Sequence, residues 1–284
     1  MPKTPNFIIP GAGKSGTNSL RSYLNEHPQI YFCRAKEPNF FAHAYDLGEG
    51  WYQGLFNPTN GETAAGEAST HYFWYPKAPK RIHAYNPDMR LVVSLRDPVK
   101  RAYSDYTAKL SRAGESRSFR EIVDSDTTLL AHSRYYSNLQ RYLDIFPREQ
   151  IHIIVFDDFI TDRNAVLAGI CDFLGVNANF KFSSLDRREN RSQMPIYGPL
   201  QRFRMRFFAA NHHDNTTKFY AKAVVRRGID VANHALETRR IPSMSRGDQR
   251  YIAGLLADEI NGLEELLQRD LSHWKTSTTE QTEG

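Results

Sequence analysis

Two segments of the sequence combine residue types that bind anions, and each begins with an apolar run. In residues 7–20 the apolar run leads into a glycine-rich turn with Lys14, followed by the start of a helix. Free backbone amides, a helix N-terminus and one lysine charge together bind phosphate groups. In residues 91–106 a second apolar run ends at Arg96, and Ser104 follows on the next helix. Two such sites predict a ligand that carries two separated phosphate groups.

The glycine-rich turn differs from the phosphate loop of nucleotide triphosphatases. That loop follows the pattern Gly-x4-Gly-Lys-Ser/Thr, and Gly13, Lys14 and Ser15 match its end. Ile8 stands where the first glycine should be, inside the preceding strand. The loop is therefore shorter than in an ATPase. A kinase or nucleotide triphosphatase that depends on Mg²⁺ remains an alternative, as does an ordinary strand-to-helix turn.

The composition is that of a globular chain with an excess of positive charge. The 284 residues are 40% hydrophobic and 24% charged, with a net charge of +5, which suits one domain with a sizeable core. The positive charge suits an anionic ligand, whereas no lysine-rich run or zinc-finger spacing supports nucleic acid as a partner. Cys33 and Cys171 are too few for a disulfide framework, so we expect buried thiols in a reducing compartment.

No segment suggests secretion or membrane insertion. The first strand begins near Phe7, which leaves no room for a signal peptide. No apolar run approaches the ~20 residues of a membrane span. We therefore expect a cytoplasmic protein without a membrane span.

The elements that position the two anion sites alternate along the chain. Strands are predicted at 7–9, 29–32, 64–69, 91–95 and 151–156, and helices at 17–25, 98–110, 134–146 and 164–174. This alternation predicts an α/β fold, a single P-loop-like domain with a central parallel sheet and helices on both faces. In such folds ligands bind beyond the carboxyl ends of the strands, where both anion sites lie.

The last third of the sequence is predicted to be helical. Helices at 200–210 and 219–231 are basic, and one at 248–269 carries an apolar stripe that packs on the rest of the domain. The stripe would also suit a homodimer, although packing on the core is enough to explain it. We place one domain at 1–275 and a disordered polar tail at 276–284.

Five motifs, in order along the chain, resemble those of sulfotransferases that use 3′-phosphoadenylyl sulfate (PAPS). Residues 11–17 resemble the loop that binds the 5′-phosphosulfate, and residues 96–106 resemble the 3′-phosphate motif Arg-x-Pro-x-x-Arg-x-x-Ser-x-Tyr. Three further segments resemble the heparan sulfate sulfotransferase branch and its bacterial members: Lys-Glu-x-x-Phe-Phe at 36–41, an acceptor-side helix at 133–140 and a terminal helix at 267–274. The chain is identified as a member of that family.

The resemblance implies sulfuryl transfer in which the protein positions PAPS and needs no metal ion. Lys14 and the neighbouring backbone amides would neutralise the charge that builds on the leaving phosphate oxygen. Arg96 and Ser104 would bind the 3′-phosphate. The residues assigned to the nucleotide are Gly13, Lys14, Ser15, Gly16, Thr17, Asn18, Arg96 and Ser104, together with Arg191 in a late loop.

The acceptor has to lose a proton, and Glu37 occupies the position of the glutamate base in the resembling branch. A carboxylate acts as a base near neutral pH when burial raises its pKa, and Phe32, Phe40 and Phe41 are candidates for apolar surroundings. His71 is the alternative base, because another branch of the family uses a histidine at a nearby strand end. Without a catalytic role, Glu37 would be an ordinary surface glutamate and His71 an ordinary core or loop histidine.

The acceptor side departs from the heparan sulfate branch. Residues 67–70 read Glu-Ala-Ser-Thr where that branch has Glu-Lys-Thr-Pro, so one positive charge is missing. This favours a bacterial-type enzyme that acts on a hydroxyl or amine of another saccharide, a glycolipid or a small natural product. A further alternative is a non-catalytic protein that binds polyanions through the basic segments 201–206 and 218–227.

Overall fold

A five-stranded parallel sheet organises the protein. The structure is a computed structural model that describes residues 4–57, 61–113, 117–186 and 243–276. Within these ranges the strands are β1 Phe7–Gly11, β2 Ile30–Phe32, β3 Ala64–Ala68, β4 Arg90–Leu95 and β5 Ile151–Val155. Their order across the sheet is β2-β3-β1-β4-β5, and every neighbouring pair is parallel. The predicted parallel sheet is confirmed.

Helices connect the strands and form the end of the described chain. They are α1 Thr17–Leu24, α2 Gly48–Gln53, α3 Ala78–Tyr85, α4 Pro98–Ala113, α5 Phe119–Ser125, α6 Thr128–Ala131, α7 Tyr135–Leu143, α8 Phe156–Thr161, α9 Arg163–Leu174, α10 Arg246–Leu255, α11 Ala257–Leu267 and α12 Ser272–Thr276. Short 3₁₀ helices lie at Tyr45–Leu47, Arg148–Gln150 and Ser183–Asp186.

Side chains of the strands alternate between two hydrophobic cores, one on each face of the sheet. Ile8 and Val93 belong to the core to which α3, α4, α7, α10 and α11 contribute. Ile9 and Val92 belong to the core to which α1, α8 and α9 contribute. Successive strand residues point to opposite faces, so a strand covered on both faces is apolar along its whole length. The predicted layers, helices on both faces of one sheet, are confirmed.

The strand order places β1 between β3 and β4. From β1 the chain first forms β2 and β3 on one side, and then crosses to β4 and β5 on the other. The loops that follow β1, β3 and β4 therefore meet beyond the carboxyl ends of three adjacent strands. Open α/β sheets bind ligands at such a point, and both predicted anion sites follow strands of this group.

The predicted helix at 248–269 is in fact two helices, α10 and α11, which meet at Leu256. Leu256 is fully buried, as are Ile252 on α10 and Ile260 on α11. Most of the predicted apolar stripe is therefore buried across a bend, whereas Leu255 is exposed. A pattern with helical periodicity does not reveal such a bend, because the same stripe can face the core on both sides of it.

Some predictions fall on residues outside the described ranges. These are the basic helices at 200–210 and 219–231, Arg191, and the tail beyond Thr276.

Cys33 and Cys171 are both buried free thiols, as predicted. Of the helices in the described ranges, none is long and apolar enough to cross a membrane.

Gly66 in β3 packs directly against β1, and we expect alanine there to destabilise the sheet. A Cβ at this position would lie 2.4 Å from the carbonyl oxygen of Phe7 and 2.6 Å from its ring. Overpacking of this kind costs about 1–3 kcal/mol, so Gly66→Ala should lower the midpoint of equilibrium denaturant unfolding. Gly254→Ala on α10 is the matched control, because nothing lies within 4 Å of its Cβ position. Equal midpoints for the two variants would contradict the register of β1 against β3.

Candidate active site

A cavity of about 300 Å³ opens beyond the carboxyl ends of β1 and β3. One wall comes from the loop after β1 and the start of α1, and its lining residues are Ala12, Gly13, Lys14, Thr17 and Asn18. The other walls come from the loop after β2, the segment after β3, α4, and the residue that follows α6. Their lining residues are Lys36, Glu37, Thr70, His71, Phe73, Trp74, Arg101, Asp105 and His132. The fold thus brings the predicted Lys14, Glu37 and His71 to one cavity.

The loop between β1 and α1 is held by the neighbouring strands. The backbone N–H of Ala12 donates to the carbonyl of Ser94 at 2.8 Å, and the Ser94 hydroxyl donates to the carbonyl of Ser15 at 2.6 Å. Gly16 has a φ of 82°, and a Cβ there would lie 2.4 Å from the Phe156 ring, so this position requires glycine. Ser15, which the sequence assigned to the nucleotide, is fully buried and lies outside the set of residues that line the cavity.

The first turn of α1 has the donors of an anion site. Gly16 is its N-cap, no side chain caps the helix, and the first turn contains no acidic residue. Backbone amides at a helix start and the positive end of the helix dipole favour an anion there. Lys14 lies two residues earlier in a left-handed conformation with a φ of 69°. Backbone strain of this kind clusters at functional sites.

Arg96 and Ser104, the residues predicted to bind a second phosphate, lie outside the set that lines the cavity. Arg96 Nη1 donates to the carbonyl of Lys14 at 3.4 Å, and its guanidinium lies 5.4 Å from the centroid of the Phe156 ring. Ser104 is partly exposed on α4, one residue before Asp105 of the cavity wall. Arg96 therefore contacts the glycine-rich loop, and Ser104 lies on the helix that follows Arg96.

Glu37 lies in the loop after β2, where the sequence allowed a loop or a helix start. Its φ is 50°, and its Oε2 accepts a hydrogen bond from the Thr70 hydroxyl at 3.5 Å. Phe40 and Phe41 are buried in the core on one face of the sheet, whereas Phe32 belongs to the core on the opposite face. Of the three candidate rings, Phe32 therefore lies on the other face of the sheet from Phe40 and Phe41, because its place in β2 directs it there.

His71 contributes to the same cavity and pairs with a second histidine. Its Nδ1 lies 3.1 Å from Nε2 of His43. Burial lowers the pKa of His71, and the neighbouring His43 lowers it further, so the ring is neutral at neutral pH. Beside it, Trp74 stacks on His132 with 4.4 Å between ring centroids. These contacts join residues from separate segments, and no sequence pattern predicted them.

Arg101, the second arginine of the motif at 96–106, is buried among partners that the sequence did not predict. Arg101 is 1% exposed, and its guanidinium donates to Ser133 Oγ at 2.6 Å and to the carbonyl of Leu129 at 2.7 Å. It also lies 3.4 Å from the carboxylate of Asp105, which in turn lies 3.6 Å from His132 Nδ1. Burial alone would raise the pKa of Asp105, but His132 and Arg101 outweigh it and lower the pKa to about 2. The four-residue spacing of Arg101 and Asp105 on one helix was the available signal.

Within the four described ranges, no group of three or more His, Cys, Asp or Glu side chains could hold a metal ion. The basic side chains of Lys14, Lys36 and Arg101 line the cavity.

Comparison with known sequences identifies a family and several relatives. A family model described as "Sulfotransferase domain" matches residues 4–224. The chain is 33% identical to heparan sulfate glucosamine 3-O-sulfotransferase 6 of Mus musculus, over 61% of this chain and 52% of that protein. It is 34% identical to heparan sulfate glucosamine 3-O-sulfotransferase 3B1 of Homo sapiens, over 61% of this chain and 46% of that protein. The matches thus span about half the length of these curated relatives.

Solved structures share the fold. A sulfotransferase from Alicyclobacillus acidocaldarius superimposes with a TM-score of 0.70 at 28% identity, covering 96% of this chain and 99% of that one. The sulfotransferase domain of the Synechococcus PCC 7002 olefin synthase matches with a TM-score of 0.51 at 17% identity, covering 94% and 96%. The second likeness concerns the fold alone.

We expect Arg101→Ala to destabilise the protein strongly. The substitution removes a buried cation and leaves the Leu129 carbonyl and the Asp105 carboxylate without this partner, and breaking a buried pair in this way costs about 3–5 kcal/mol. Equilibrium denaturant unfolding at pH 7 measures the effect. Arg250→Ala is the control, because Arg250 is exposed on α10. A loss for Arg101→Ala no larger than for Arg250→Ala would contradict the buried network.

Proposed function

The chain belongs to the sulfotransferase family, and from this premise we propose that it transfers a sulfuryl group from PAPS to a hydroxyl or amine of an acceptor. One observation carries the proposal. Lys14, the uncapped start of α1 and the carboxylate of Glu37 all face the same cavity. That arrangement offers donors for a phosphosulfate on one wall and a proton acceptor on another.

The residues after β1 suit the 5′ end of the nucleotide. When bound, PAPS supplies the sulfuryl group and a phosphate leaving group. Lys14 and the amides at the start of α1 would stabilise negative charge on the leaving oxygen, as preorganised donors do in other transfer reactions. The Thr17 and Asn18 side chains line the same wall and would hold the 5′-phosphate.

Arg96 and Ser104 are the proposed partners of the 3′-phosphate. Arg96 is only partly buried, and its guanidinium contacts the glycine-rich loop at the Lys14 carbonyl. An arginine and a hydroxyl are strong donors for a phosphate. Arg191 is a further proposed contact and lies outside the described residues.

Glu37 is the proposed base, which takes the proton of the acceptor as the sulfuryl group arrives. Its carboxylate lines the cavity and is oriented by Thr70. His71 is the second candidate, since its lowered pKa leaves it neutral and able to accept a proton. His71 is however already within hydrogen-bond distance of His43, which favours Glu37.

The acceptor is proposed to be a saccharide, a glycolipid or a small natural product. The names of the curated relatives indicate that they act on a glucosamine unit of heparan sulfate. In this chain Ala68 stands at the end of β3 where the resembling branch carries a lysine, and Ala68 is buried. We therefore propose that the acceptor of this chain carries less negative charge than heparan sulfate.

Binding of adenosine 3′,5′-bisphosphate should depend on Arg96 and not on Mg²⁺. Calorimetric titration with the bisphosphate, ATP and AMP in the absence of Mg²⁺ should give tight binding of the bisphosphate alone. Because Arg96→Ala removes one charge-assisted contact, it should weaken binding of the bisphosphate roughly 10- to 100-fold and leave the affinity for AMP nearly unchanged. Arg250→Ala is again the control variant.

Three results of that titration, repeated with Mg²⁺ present, would overturn part or all of the assignment. ATP binding that appears only with Mg²⁺ would favour a kinase or nucleotide triphosphatase. Failure to bind any nucleotide would favour a non-catalytic polyanion-binding protein. Equal weakening of bisphosphate and AMP would show that Arg96 has a structural role.

Glu37→Gln should lower the transfer rate roughly 100- to 10,000-fold, the usual contribution of a general base, while nucleotide affinity stays nearly intact. The amide keeps the shape of the side chain but cannot accept the acceptor's proton. Transfer is measured with labelled PAPS and an acceptor panel of a saccharide, a glycolipid and a small amine, and affinity is measured with the bisphosphate. His71→Asn is the matched variant on the same cavity. Full turnover by Glu37→Gln together with an inactive His71→Asn would move the base to His71.

A further inference from the structure

The loop that carries Glu37 has a backbone that ordinary residues avoid. Glu37 and Asn39 have φ values of 50° and 53°, and neither is glycine. A left-handed conformation is disfavoured for residues with a Cβ, so it persists only where surrounding contacts impose it. The contacts that impose it here therefore decide where the Glu37 carboxylate points.

Two backbone amides of this loop are held by hydroxyl groups of the segment that follows β3. The N–H of Asn39 donates to Ser69 Oγ at 3.0 Å, and the N–H of Phe41 donates to the hydroxyl of Tyr72 at 3.3 Å. Ser69 and Tyr72 are both fully buried. Since water does not reach either hydroxyl, each of these hydrogen bonds is costly to break.

The buried carboxylate of Glu67 orients the hydroxyl groups that hold the loop. Ser69 Oγ donates to Glu67 Oε2 at 2.7 Å, and the hydroxyl of Tyr52 donates to Glu67 Oε1 at 3.3 Å. A serine hydroxyl has one proton. Because Ser69 gives that proton to Glu67, its lone pairs face the amide of Asn39. The carboxylate thereby sets the direction of the hydrogen bond that holds the loop.

Glu67 itself cannot touch an acceptor. It is 0% exposed in the middle of the sheet, where it pairs in register with Ile8 of β1, and it lies outside the set that lines the cavity. A group placed on a central strand is fixed more firmly than one on a loop.

We propose that Glu67 and Ser69 are positioning residues that hold the Glu37 loop in its reactive conformation. Ser69 fixes the backbone of the loop, and the adjacent Thr70 contacts the Glu37 carboxylate directly. The inference rests on the proposed role of Glu37 as the base. It adds that the base depends on a buried carboxylate–hydroxyl pair beneath the cavity.

The test is Ser69→Ala, alone and combined with Glu37→Gln. Single-turnover transfer from labelled PAPS is measured at pH 8, above the pKa of Glu67, which burial raises to about 7. Misplacing a catalytic group by a small distance costs up to about 100-fold, so Ser69→Ala should lower the transfer rate roughly 10- to 100-fold. Affinity for adenosine 3′,5′-bisphosphate should stay within about twofold, because the nucleotide wall is untouched.

The combined variant separates positioning from general loss of stability. If Ser69 acts through Glu37, Ser69→Ala should cause no further loss in the Glu37→Gln background, since residues that act as a unit are not additive. Ser94→Ala is the matched control, because Ser94 is an equally buried serine whose hydroxyl holds the other loop. In the double variant, the rate losses caused by Ser94→Ala and by Glu37→Gln should multiply.

Hydrogen exchange of the amides of Asn39 and Phe41 gives a readout that does not depend on activity. Exchange should accelerate at both amides in Ser69→Ala and in Glu67→Gln. The positioning role would be overturned by unchanged exchange rates at these amides. It would also be overturned if the rate losses of Ser69→Ala and Glu37→Gln multiply in the double variant. In both cases Glu37 would remain the base. Full turnover by Glu37→Gln would instead remove the proposed base, and the inference with it.

Discussion

The position of β1 between β3 and β4 is the constraint on which the candidate site depends. Parallel strands that neighbour one another end at the same edge of a sheet, so the loops after them share the space beyond it. Lys14 follows β1, His71 follows β3 and Arg96 follows β4. Glu37 joins them from β2 because its loop is hydrogen bonded to the segment after β3. Another strand order would separate these groups even with unchanged local sequences.

Two strained loops are each held by a buried hydroxyl near the end of a strand. Ser94 in β4 donates to the loop that contains Lys14, and Ser69 after β3 accepts from the loop that contains Glu37. Lys14 and Glu37 both have left-handed φ values. Buried hydrogen bonds of this kind are costly to leave unmade and therefore offset the strain. The two side chains at the centre of the proposed chemistry thus take their positions from the sheet.

Much of the fold could be predicted because its signals are local. Apolar runs marked β1, β4 and β5, and the alternation of strands with helices marked a parallel sheet. The glycine-rich loop was recognisable because its donors are consecutive in the sequence. The bend at Leu256 was not, since the apolar stripe continues through it. The face of the sheet to which Phe32 points could not be predicted either, because a three-residue strand offers too few positions to assign its faces.

The sequence by itself determined which groups stand at the end of each strand, including Lys14 and Arg96. Only the tertiary structure decided which groups meet and what chemistry they acquire there. Glu67 and Asp105 are both carboxyl groups, yet burial raises the pKa of Glu67 to about 7 while His132 and Arg101 lower that of Asp105 to about 2. The physical reason is that a pKa depends on solvent exclusion and on nearby charges. Those surroundings are assembled from distant segments by the strand order, which no local pattern encodes.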